Sequence, residues 1–76
     1  MIVENSPAPK VYVMRDLARL LNRSVPSLAR DLSAGRLPSG FRIGRARRWL
    51  REEIDSWLAA GCPVRREWEA IRKVRK

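Results

Sequence analysis

The densest chemistry in this 76-residue chain is cationic. Between Gly35 and Leu58 the segment GRLPSGFRIGRARRWLREEIDSWL threads Arg36, Arg42, Arg45, Arg47, Arg48 and Arg51 between apolar residues. A guanidinium is a fixed charge whose donors form a planar fork, matched to phosphate oxygens and to the acceptor edges of bases. Such a set binds anions and moves no protons. Over the whole chain 17 Lys and Arg stand against 8 Asp and Glu, a net charge of +9, which favours nucleic acid or an acidic membrane surface as partner. The charge coincides with a local pattern rather than being spread evenly, and that favours nucleic acid.

Residues for bond-making chemistry are scarce. The chain has no histidine, a single cysteine (Cys62) and no glycine-rich phosphate loop. Neither a catalytic pair nor an ordinary zinc site can be assembled, so we expect no enzyme, no cofactor and no metal. The lone thiol reads as a small residue at a helix end, compatible with a reducing compartment. The opening MIVENSPAPK lacks the apolar core of a signal peptide, and no run approaches the ~20 apolar residues of a membrane span. A cytoplasmic protein with no membrane partner is expected. A chain this short holds one small domain and buries only about 60% of its unfolded surface, which leaves no room for a large cleft.

The elements that must position the arginines follow from spacing. Residues 1–10 carry Asn5, Ser6, Pro7 and Pro9 and are expected to form a flexible N-terminal arm. In VYVMRDLARLLN, Met14, Leu17, Ala18 and Leu21 fall on one buried helical face, and Asn22 tolerates the left-handed exit that ends it. Ser24 is a good N-cap and Pro26 is tolerated in a first turn, so a second helix is expected from Val25 to Ala34, stopped by Gly35. Leu28 and Leu32 turn inward and leave Val25, Pro26, Ala29, Arg30 and Ser33 outside. Two short helices so joined make a helix-turn-helix.

The alternation in LPSGFRIG puts Phe41 and Ile43 on one face and Arg42 on the other, the mark of a half-buried strand. Gly44, Arg45 and Ala46 form a tight turn, and Trp49 in RRWL returns to the core on a partner strand. This hairpin is expected to hold its apolar side to the core and display its arginines outside. REEIDSWLAAG then sets Ile54, Trp57 and Leu58 on the inner face of a third helix, with Glu52 and Glu53 where the helix dipole favours acids. Pro63 can open a fourth, basic helix in which Val64, Trp68 and Ile71 make a narrow apolar stripe. Trp68 either docks onto the domain or serves a partner interface. The expected organisation is an arm over 1–10, a domain over 11–61 and a basic C-terminal helical extension over 62–76.

The order of these pieces resembles a known family. Helix, turn and Ser-capped helix, then GRLPSGFRIGRARRW with EIDSWL behind it, are similar to the AlpA-like and excisionase-like branch of the MerR-type winged helix-turn-helix DNA-binding domains. The match covers Val11 to Ala60. It implies a mainly α fold with a small β-hairpin wing, the helix from Val25 to Ala34 as recognition helix, the Phe41 to Trp49 hairpin as wing, and a bacterial or phage origin. Val13 departs from the pattern, standing where such proteins usually offer a hydroxyl cap to the first helix, and the segment after Pro63 lies outside it.

On this footing the candidate DNA-contacting residues are Arg15, Arg23, Ser24, Val25, Ser27, Arg30, Arg42, Arg45, Arg47 and Arg48. Arg45, Arg47 and Arg48 sit at or beside the wing tip, where arginine can enter a narrow minor groove or bind phosphate. Arg30 and Arg23 can donate to guanine edges or phosphates, and Val25 can meet thymine methyl groups. Ser24 is first a helix cap, Ser27 is divided between contact and plain surface, and Arg15 lies where a first helix crosses the backbone. The expected partner is double-stranded DNA, read by a small regulator or an excisionase-type architectural factor in the nucleoid, with further copies of the chain or a recombinase or polymerase beside it. The alternatives are a protein-interaction module using the basic C-terminal helix, and an RNA or single-strand binder that stacks bases on tryptophan.

Overall fold

The computed structural model describes residues 10–75, with side chains through Lys73. The arm expected over residues 1–9 lies outside the described residues. In chain order the elements are β1 (Val11–Tyr12), α1 (Met14–Leu20), α2 (Val25–Ser33), β2 (Phe41–Ile43), β3 (Ala46–Leu50), α3 (Arg51–Ala59) and α4 (Arg65–Arg75).

The two N-terminal helices form where spacing and caps place them. Leu17 and Ala18 of α1 are buried, with Met14 and Leu21 packed against the core. Val13 takes the N-cap position without a side-chain bond of its own, but the Asp16 carboxylate accepts from the Val13 backbone N–H at 3.2 Å. The missing hydroxyl is thus partly offset from the third helical residue. At the other end Asn22 adopts φ 59, and the Asn22 and Arg23 N–H groups return to the Arg19 and Ala18 carbonyls. This is a Schellman exit with Asn in the left-handed seat. Ser24 caps α2 by accepting from the Ser27 N–H at 3.2 Å.

The hairpin departs from expectation in which way it faces. In register, Phe41 pairs with Arg48, Arg42 with Arg47 and Ile43 with Ala46. Cross-strand partners share a face, so Arg42 and Arg47 lie on the side of Trp49, while Phe41, Ile43, Ala46, Arg48 and Leu50 lie on the other. Trp49 is fully buried, whereas Phe41 is 37% and Ile43 64% exposed. The reading of Phe41 and Ile43 as core-facing is therefore corrected. With a side-chain period of two, burying Trp49 fixes the facing of every other residue in the pair of strands. The loop supplies the core instead, through buried Leu37 and Pro38.

A strand at the N-terminus was not legible in the spacing, and of the two roles open to Trp68 the structure takes docking onto the domain. Val11 and Tyr12 form a short strand antiparallel to β3, with Val11 opposite Leu50 and Tyr12 opposite Trp49, giving the order β1-β3-β2. Trp68 of α4 is 2% exposed and joins Leu17, Ala18, Leu28, Leu37, Trp49, Ile54 and Trp57 in one cluster. Each indole N–H finds an acceptor: Trp49 donates to the Pro38 carbonyl, Trp57 to the Pro63 carbonyl and Trp68 to Glu53 Oε2, at 2.8–2.9 Å. Such bonds are what let three tryptophans be buried in so small a domain.

Candidate nucleic-acid interface

The outer face of α2 assembles as its periodicity demands. Val25, Pro26, Ala29, Arg30 and, near the end of the helix, Ser33 are exposed. Arg30 Nη2 donates to Ser27 Oγ at 3.1 Å, and the Ser27 N–H donates to Ser24 Oγ. The three predicted residues therefore form a polar ladder along the first turns of α2. The ladder aims a guanidinium toward a helix N-terminus, where backbone N–H groups and the helix dipole also favour an anion.

Arg23 is held elsewhere. Its Nε donates to Asp31 Oδ2 at 3.0 Å and its Nη2 lies 2.8 Å from the same oxygen, while Arg36 Nη1 reaches Asp31 Oδ1 at 3.0 Å. Burial alone would push the Asp31 carboxyl up, but hydrogen bonds and charge from Arg23 and Arg36 outweigh it and hold the group below its ordinary value. Sequence reasoning missed Asp31. Its partners are eight and five residues away, at spacings that no helix or strand period brings together.

The hairpin arginines divide in two. Arg42 and Arg45 are exposed and enter no ion pair among the described residues. Arg45 stands in the two-residue turn with Gly44, whose φ of 63 at the first turn position is the conformation a type II′ hairpin turn requires. Arg47 and Arg48 are half-buried: Arg47 donates to the Ser39 carbonyl, and Arg48 Nη1 to the Arg47 carbonyl at 3.0 Å. Neither bond neutralises charge, so all four keep a net positive field over the hairpin. Gly40 anchors the base of the hairpin at φ 72, where a Cβ would collide with the Arg48 carbonyl. Arg15 is exposed in the first turn of α1 and, like Arg42 and Arg45, unpaired with acids among the described residues.

A family model described as a helix-turn-helix domain matches residues 12–62. The chain belongs to that family. It is a DNA-binding helix-turn-helix protein, in a family that typically binds rather than catalyses. No curated protein and no solved structure matches the chain significantly. Among the described residues no helix is long and apolar enough to cross a membrane. The helix-turn-helix match ends at Cys62, so α4, with Arg65 and Arg72 bonded to internal partners, lies beyond it.

Proposed function

We propose that this helix-turn-helix protein binds a specific double-stranded DNA site with α2 as recognition helix in the major groove and the β2–β3 hairpin as a wing on the adjacent minor groove and backbone. The observation that carries this reading is the sorting of the arginines. Arg15, Arg19, Arg30, Arg42, Arg45 and Arg66 are exposed and free of acid partners among the described residues, while Arg23, Arg36, Arg51 and Arg72 are paired with carboxylates; of the free set, Arg30 lies on α2 and Arg42 and Arg45 on the hairpin. In this arrangement Arg30 donates to a base or phosphate near the N-terminus of α2, Val25 and Ala29 meet thymine methyl groups, and Arg42 and Arg45 grip phosphate or a narrow minor groove.

The protein acts as a small bacterial or mobile-element regulator or excision factor, working on the nucleoid. Further copies of the chain, a recombinase or a polymerase would be its protein partners. Two competing uses have less support. Trp68, the centre of the stripe that a partner-binding α4 would present, is buried; so are Trp49 and Trp57, which a base-stacking reading would need exposed. The test is selection of bound sequences from a random duplex pool. A recurrent motif supports the proposal, and its absence, with equal affinity for any acidic polymer, sinks it.

A further inference from the structure

Arg65 opens α4, yet it does not project into solvent like its neighbour Arg66. Its Nη2 donates to the Leu32 carbonyl at 2.8 Å, its Nε to the Leu37 carbonyl at 3.0 Å, and its backbone N–H to the Gly35 carbonyl at 2.9 Å. All three acceptors lie in one stretch, the last turn of α2 and the loop that leads to the hairpin. Leu32 is among the final residues of α2, whose terminal carbonyls have no helical donor beyond the Schellman turn and attract a cation. Leu37 is buried, and the next carbonyl, that of Pro38, holds the Trp49 indole on β3. A continuous path of bonds therefore runs from α2 through Arg65 and the loop to the hairpin.

We infer that Arg65 is a positioning residue that sets the angle between α2 and the β2–β3 hairpin, and so the spacing at which the two can engage one duplex. The inference rests on the proposed DNA-binding roles of those two elements. The loop, residues 36–40, is bounded by Gly35 and Gly40, both at positive φ; Trp49 and Arg47 tie its Pro38 and Ser39 carbonyls to β3, and Arg65 supplies the tie to its Leu37 carbonyl from α4. A guanidinium suits the task because its rigid fork presents separate donors to two divergent carbonyls at once, whereas a lysine ammonium is a point donor without that fixed geometry. The side chain is half-buried, and its removal takes a donor from the Leu37 carbonyl and leaves the Leu32 carbonyl with the Gly35 N–H alone.

The test compares affinity for a duplex selected by the wild-type chain with affinity for a scrambled duplex, at a temperature where each variant is folded. Arg65→Ala should lower the preference for the selected duplex about tenfold while leaving scrambled-duplex affinity and its salt slope near wild type. Arg65→Lys should fall between, and it keeps the test open should Arg65→Ala fail to fold. Arg66→Ala removes the same charge from an exposed neighbour and should leave the preference intact. Amide exchange in the free protein should quicken at Arg36, Leu37, Ser39 and Gly40 in Arg65→Ala. Equal weakening on both duplexes, with the salt slope reduced by about one unit, would make Arg65 a phosphate-binding residue and overturn the inference. Unchanged preference or unchanged loop exchange overturns it too. A wild-type chain that selects no motif defeats the DNA reading, and the exchange measurement then decides by itself whether Arg65 holds the loop.

Discussion

On the β2–β3 hairpin, Arg42 and Arg45 face solvent with no carboxylate in reach among the described residues, whereas on α4 Arg65 caps two backbone carbonyls and Arg72 pairs with Glu53 at 2.8 Å. Both segments are arginine-rich. Residues 41–50 contain four arginines and no acid, while residues 65–75 set Glu67 and Glu69 among their cations. The difference teaches that charge density does not locate an interface by itself. An arginine whose charge is neutralised by a carboxylate, or whose fork is taken up by two carbonyls, has less to offer a phosphate than one that faces only water.

The sharpest way to break the comparison is to remove α4. If its role is structural, Trp68→Ala should cost about 3–5 kcal/mol, most of the stability of so small a domain, and ending the chain at Gly61 should abolish cooperative unfolding. Sequence spacing closes the core at Ile54, Trp57 and Leu58 and so leads one to expect a folded fragment. Native-like chemical-shift dispersion in the truncated chain would show that spacing to be sufficient and α4 to be an accessory.

Arg30→Ala comes next in size. Removing a bidentate bond to a base should cost about 1–3 kcal/mol on a selected duplex and change which sites are preferred. A uniform weakening on all duplexes would reduce Arg30 to a phosphate-binding role. Arg42→Ala with Arg45→Ala should do the opposite, weakening selected and scrambled duplexes by similar factors and lowering the salt slope by about one unit for each phosphate no longer neutralised. The matched control is Arg66→Ala with Lys73→Ala on α4. Should that pair alter the slope as much as the hairpin pair, the distinction between the two regions fails.

The smallest effect is expected at Asp31. Its folded pKa lies below the ordinary 3.8, so the ionised group contributes stability above that pH and loses it as pH falls through the folded value. Urea midpoints should show wild type more stable than Asp31→Asn near pH 7, with the gap narrowing as pH falls below 3.8. A gap that does not change with pH would mean that Arg23 and Arg36 gain nothing from the charge of Asp31.

What the chain determines by itself is local. Ser24 as cap, Asn22 as left-handed exit, Leu17 with Ala18 and Leu28 as buried stripes, and the exposure of Val25, Ala29 and Arg30 all follow from side chains acting within a turn or two of their own backbone. The helix-turn-helix was legible for that reason. The facing of Phe41 and Ile43 was not, because alternation names two faces without saying which is inner, and the choice fell to Trp49 with its bond to the distant Pro38 carbonyl. The pairing of Val11 with Leu50, the hold of Asp31 on Arg23 and Arg36, and the reach of Arg65 to Leu32 and Leu37 share that character. Each joins groups whose separation in sequence carries no helical or strand period. Only the tertiary fold decides whether such an arginine meets a carbonyl, a carboxylate or open water, and that encounter determines which cations remain free for DNA.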